Sequence, residues 1–133
     1  MSPGTQLLDR FLLALCVWRE ARGETLKGKE LVAAVVINRA MDPRRRWPQS
    51  IAGVVLQPLQ FSSFNAGDPN AVKFPSSLID RSMWEDCVAA ADAAIAGPVL
   101  TTANHYHVEG LHPAWADDTK IVAREGAHIF YEL

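Results

Sequence analysis

The sequence is short of several things, and each shortage removes a class. It has two cysteines, Cys16 and Cys87, each inside an apolar helical pattern and with no metal-type spacing. They read as small buried hydrophobes in place of a disulfide framework or a thiolate zinc site. Charge of one sign is not in excess, since 13 Lys and Arg against 15 Asp and Glu give a net charge of −2. That balance speaks against nucleic acid or an anionic membrane surface as partner. No apolar run approaches the roughly 18 residues of a membrane-spanning helix; the longest clear one, from Phe11 to Trp18, predicts no membrane insertion. It lies where a signal peptide's apolar core would, but only Arg10 precedes it with positive charge, and Leu15 stands where a lipoprotein box needs a small residue before its cysteine. A first helix, with no signal peptide evident, is the simpler reading. Internal repeats and low-complexity tracts are not visible.

What is present is ordinary globular material: 49% of the 133 residues are hydrophobic and 21% charged. A chain of this length buries roughly 70% of its unfolded surface without staples. One domain over residues 1–133, monomeric and without a cofactor, is expected. Leu7, Leu8, Phe11, Leu12, Leu15 and Trp18 follow helical spacing and predict a helix from about Gln6 to Arg22 with one buried face, stopped at Gly23. A second helix opens near Thr25, runs through Leu31, Val32, Val35, Val36 and Arg39, and ends before Asp42-Pro43. From Asp42 to Ser82 the chain is rich in Pro, Ser, Asn and Gly around a short apolar piece, Ile51 to Leu56. Irregular segments on a rigid scaffold are where ligand contacts tend to sit. Within this segment, Arg44-Arg45-Arg46 reads as a solvated turn. A third strong helix covers about Ile79 to Ala96, with a capping box at Ser82-Met83-Trp84-Glu85 as one possible start and Gly97-Pro98 as its stop. The ends of the pattern, Asn104 to Val108 and His128 to Tyr131, are aromatic and β-prone. The fold class is therefore α+β, mainly helical, with a small antiparallel sheet or ribbon.

Three constellations could carry chemistry. In Trp18-Arg19-Glu20-Ala21-Arg22-Gly23-Glu24 two carboxylates stand four positions apart at the end of an apolar helix. Glu20 falls near the edge of the buried stripe, where partial desolvation keeps a proton on a carboxyl and ready for donation; the alternative is a structural ion pair with Arg19, Arg22 or Arg39. Gly23 turns Glu24 away, toward solvent. In His105-Tyr106-His107, i and i+2 on a strand point the same way, so His105 and His107, with His128, could hold a zinc ion for an amidase. No HExxH or cysteine spacing accompanies them, so hydrogen-bonded packing or substrate contact is the favoured role and no metal is expected. In Gln57-Pro58-Leu59-Gln60-Phe61-Ser62-Ser63-Phe64-Asn65, amides and hydroxyls alternate with aromatic rings, which suits the hydroxyl edges and apolar faces of sugars; Trp115 and Tyr131 could extend that platform.

Read in order, Trp18 to Glu24, Leu31 to Arg39, Pro48 to Val55, Gln57 to Ser62, Asn104 to His107 and Gly126 to Tyr131 resemble the successive blocks of the spore cortex-lytic, SleB-like cell wall hydrolases. The resemblance covers nearly the whole chain. It implies a fold related to lysozymes and lytic transglycosylases, and cleavage of peptidoglycan glycan strands with Glu20, which opens Glu-Ala-Arg-Gly-Glu, as the acid. One carboxyl without an obvious partner suits a lytic transglycosylase, which closes a 1,6-anhydro ring; Glu24 and Asp68 are the other carboxylates to consider. Gln60, Phe61, Ser62, His105, Tyr106, Trp115 and Tyr131 are the candidates for holding the sugar. A zinc-dependent N-acetylmuramoyl-alanine amidase and a non-catalytic wall-binding module are the competing readings. The expected setting is a protein held in the cytoplasm until released to act on the wall, as a bacteriophage lysis protein would be.

Overall fold

A computed structural model describes residues 3–57, 61, 75 and 78–133, with the side chains of 3–5 and 78–79 outside the description. Among the described residues four α-helices, α1 (Pro3–Ala21), α2 (Leu26–Ala40), α3 (Ile51–Leu56) and α4 (Leu78–Ala96), precede three strands, β1 (His105–Val108), β2 (Ile121–Glu125) and β3 (His128–Tyr131), with a 3-10 turn at Asp118–Lys120 leading into β2. The helical class with a small antiparallel sheet is as expected. α1 packs against α2, α3 and α4 together, and this changes how it is buried. Every residue from Leu12 to Arg19 is buried, whereas Leu7, Leu8 and Phe11 of the expected apolar face are 65%, 52% and 47% exposed. The C-terminal half of α1 is thus a central helix apolar on all sides, and only its first half is peripheral.

α2 is the second wall of the core, with Leu31 to Val36 all buried. Thr25 is its N-cap and accepts from the Gly28 N–H at 3.0 Å, while its own hydroxyl donates to Glu125 of β2 at 3.0 Å. The β-branched run Val35-Val36-Ile37 stays helical because it sits mid-helix in the core, where burial of each side chain contributes about 1.5–3 kcal/mol against propensity differences below about 1 kcal/mol. α4 begins at Leu78, so Ser82 lies inside the helix and its capping box is not the start. The stop is as expected: Gly97 adopts φ +61, a left-handed conformation that glycine takes without steric cost. Both cysteines are free and buried, and burial pushes the Cys87 thiol up to about 12.

The sheet has the order β1-β3-β2 and is antiparallel throughout. β2 is absent from the sequence reading. It is short, bulged between Ile121 and Ala123, and mixes charge into its pattern, so it lacks the apolar alternation that marks a strand. Register sorts the side chains. Tyr106 faces Phe130 and Val108 faces His128 across β1 and β3 on the helical side, while His105 pairs with Tyr131 and His107 with Ile129 on the other. α2 ties down the approach to β1: the Asn38 amide donates to the Thr101 and Ala103 carbonyls at 2.8 and 2.7 Å, and Arg39 Nε donates to the Asn104 carbonyl at 2.7 Å.

Thr25→Ala removes both the N-cap of α2 and its link to β2. The expected loss is about 1 kcal/mol in urea unfolding; an unchanged midpoint would show that the cap is not needed.

Candidate active site

Glu20 is the penultimate residue of α1, half-buried where the central helix leaves the core. The helix delivers it to the sheet: the Tyr106 hydroxyl donates to Glu20 Oε1 at 3.0 Å. Tyr106 is tilted against Phe130, with ring centroids 5.6 Å apart, and meets the edge of the His128 ring at 5.1 Å. Burial first, and then the neighbouring Glu20 charge, push the Tyr106 phenol well above its ordinary value, so it keeps its proton and acts as a donor. Two positions before Glu20, the indole Nε1 of Trp18 is buried and has no hydrogen-bond partner among the described residues, and the Arg22 guanidinium lies 4.6 Å over its ring.

Glu24 is not a solvated carboxylate. Its Oε1 accepts the Ala127 N–H at 2.9 Å and stands 3.2 Å from His128 Nδ1, close enough for an ion pair though without hydrogen-bond alignment. Gly126, at φ +56, lets it approach, since a Cβ there would lie 2.6 Å from Glu24 Oε2. Burial holds the His128 imidazole below its ordinary pKa, with Glu24 pulling the other way. This clasp between the α1–α2 turn and the β2–β3 turn is absent from the sequence reading. Its only linear trace is Glu24 after a glycine and His128 just after Gly126-Ala127.

The expected sugar contacts divide. Tyr106 joins Glu20. His105, Trp115 and Tyr131 gather on the opposite face of the sheet, where the His105 ring lies 4.9 Å from Trp115 and 5.6 Å from Trp47. Tyr131 is 1% exposed and its hydroxyl is 2.7 Å from His107 Nε2, so its ring packs and offers no open face; Trp115 keeps 38% exposure. Phe61 is 2% exposed in the core with the Arg39 guanidinium 5.4 Å over its ring, so it too is a packing residue and not a sugar platform. Gln60, Ser62 and Asp68 lie outside the described residues.

The zinc reading fails on register. His105 and His107 do share a face, but His128 projects from the other, and the three cannot converge on one ion. Among the described residues no group of three His, Cys, Asp or Glu side chains could hold a metal. In the arginine run, Arg46 pairs with Asp42 at 2.9 Å, which holds that carboxyl down at about 2, while Arg44 and Arg45 are exposed as a turn would have them.

The Cell Wall Hydrolase family profile matches residues 23–131. This chain belongs to the cell wall hydrolase family. It is 30% identical over 136 residues to the spore cortex-lytic enzyme of Bacillus subtilis, covering 99% of this chain and 40% of that protein. It is 41% identical over 122 residues to the spore cortex-lytic enzyme of Halalkalibacterium halodurans, covering 92% of this chain and 34% of that one. The chain therefore spans well under half the length of these curated relatives. Two solved structures are similar over almost their whole length. The catalytic domain of the Bacillus cereus SleB protein matches with TM-score 0.73 and 28% identity, over 92% of this chain and 88% of that one. The catalytic domain of the germination-specific lytic transglycosylase SleB from Bacillus anthracis matches with TM-score 0.74 and 26% identity, over 98% and 99%. As a cell wall hydrolase domain of SleB type, the chain has the fold that the resemblance implied.

His105 titrates far from its ordinary value: burial, then Arg39 and Arg46, lower it from 6.5 to about 4. The unfolded chain takes up this proton first, so stability falls as pH drops from about 6.5 to about 4 and levels off below. His128 shifts in the same direction. His105→Gln is expected to flatten part of the decline in Tm across that window; an unaltered slope would contradict the assignment.

Proposed function

We propose that this domain cleaves the peptidoglycan glycan strand between N-acetylmuramic acid and N-acetylglucosamine as a lytic transglycosylase, with Glu20 as acid and then base. The observation that carries the reading is the hydrogen bond from the Tyr106 hydroxyl to Glu20 Oε1, which aims one half-buried carboxyl from the end of a rigid helix. Protonated Glu20 gives its proton to the glycosidic oxygen as the bond to the muramoyl C1 breaks. The C6 hydroxyl of the same sugar then bonds to C1, and the Glu20 carboxylate takes up its proton. The ring closes as 1,6-anhydromuramoyl, no water is consumed, and the acid is regenerated.

Glycosidases that hydrolyse use a second carboxylate as nucleophile or base. Glu24, the nearest in sequence, is occupied by the Ala127 N–H and His128, which supports the route needing one carboxyl. The identity of the bond rests on the likeness to the SleB catalytic domains, one of them named a lytic transglycosylase. For the sugar, Gln60 and Ser62 are the proposed polar contacts and Trp115 an exposed ring. His105 and Tyr131 pack against Trp115, and Phe61 packs in the core. The domain is proposed to act as a monomer, on the wall, after release. No helix among the described residues is long and apolar enough to cross a membrane.

Glu20→Gln is expected to abolish release of soluble muropeptides from purified sacculi while leaving Tm within a few degrees, since the amide keeps the shape and loses the proton. Near-normal release by that variant would remove Glu20 from the role. Tyr106→Phe should lower the rate about tenfold, as loss of a charge-assisted hydrogen bond does, and this is read from initial rates on the same substrate. Chelation with EDTA should not imitate Glu20→Gln; activity lost with EDTA and restored by zinc would favour the amidase.

A further inference from the structure

The Glu24–His128 clasp has no part in the steps above, yet it joins the same two bodies as the Glu20–Tyr106 bond. Glu20 and Glu24 flank the end of α1 by four positions, and Tyr106 and His128 sit diagonally on adjacent antiparallel strands, facing the helices. A single contact between a helix end and a sheet leaves a pivot about that contact; a second one, displaced along both, removes it. We propose that Glu24 and His128 are a positioning pair for the reaction, fastening the β2–β3 turn to the α1–α2 turn so that the Tyr106 hydroxyl is fixed on the Glu20 carboxyl.

Glu24 fastens the turn through the Ala127 N–H, and His128 packs against the same carboxyl at 3.2 Å without a hydrogen bond. Glu24 is held from behind, its carbonyl accepting Lys29 Nζ at 2.8 Å and its N–H donating to the Ala21 carbonyl at 2.9 Å. Its carboxyl side chain is 16% exposed and reaches across 103 positions of sequence to the Ala127 N–H. Gly126 leaves the space that the carboxyl fills. The His128 side chain, 4% exposed, lies edge-on to the Tyr106 ring at 5.1 Å and 6.0 Å from Phe130, so any movement of its ring is passed to Tyr106. Thr25, next in the chain, adds a parallel tie to Glu125 at 3.0 Å. A displacement of about 1 Å at a catalytic group can cost on the order of a hundredfold in rate, so a residue that never meets the sugar can still set kcat.

The inference rests on Glu20 being the acid, and its test is separable from that assignment. The chain has two tyrosines, Tyr106 and Tyr131, so protein labelled with carbon-13 at tyrosine Cζ gives two signals, of which Tyr106→Phe identifies one. Glu24→Ala should move the Tyr106 signal and leave that of Tyr131 in place. It should lower kcat about tenfold with KM within twofold, and Glu24→Gln, which keeps an acceptor for the Ala127 N–H, should recover part of the loss. Gly126→Ala, which drives the carboxyl from its place, should give the same spectral change. If Glu24→Ala does not fold, Glu24→Gln is read in the same way and should shift the Tyr106 signal alone, by less. An unmoved Tyr106 signal in a folded Glu24 variant, equal movement of both tyrosine signals, or a loss confined to KM would overturn the proposal. Activity retained in Glu20→Gln would instead overturn the acid assignment, while the tyrosine signals still report on the clasp.

Discussion

The hydrogen bond between Tyr106 and Glu20 joins positions 86 residues apart, and the rest of the structure is arranged so that this bond can form. For Glu20 to serve as the proposed acid, its carboxyl has to be partly desolvated and held at a fixed place. α1 supplies both conditions. Its second half is enclosed by three other helices, so its axis cannot shift without opening the core, and Glu20 sits one residue before the helix ends, where the enclosure gives way.

The sheet is the other half of the constraint. With three short strands it would be marginal by itself, and it is stabilised by its attachments to the helices: Asn38 and Arg39 of α2 hold the segment entering β1, Thr25 meets β2, and Glu24 meets the turn into β3. Its two faces then do different work. The helical face carries Tyr106 and His128 toward the end of α1. The other face buries His107 and Tyr131 beneath Trp115 and keeps the strand edges from slipping, because a one-residue slip would exchange the faces.

The existence of the long helices was legible in the sequence, since apolar spacing and capping residues are local. What surrounds a helix is not local. Leu7, Leu8 and Phe11 fit the stripe as well as Leu12 and Leu15 do, and only the packing of α3 and α4 decides that the stripe is exposed at one end and closed on all sides at the other. β2 escaped because Arg124 and Glu125 break the apolar alternation of a short, bulged strand. At the site, the ordered motifs pointed to Glu20, and the period of two put His105 and His107 on one face. The side taken by His128 depends on register between strands, and the engagement of Glu24 depends on a contact across 103 positions. Phe61 and Tyr131 were aromatic residues in plausible places, and nothing local separates an aromatic that packs from one that stacks on a ligand.

The central claim is that one carboxyl, with no water as reactant, completes the cleavage. Digesting sacculi in water enriched in oxygen-18 and weighing the released muropeptides tests it directly. The account predicts 1,6-anhydromuramoyl ends that carry no oxygen-18. Reducing ends bearing one oxygen-18 atom would show that water attacks the sugar, and would require a second group to activate it.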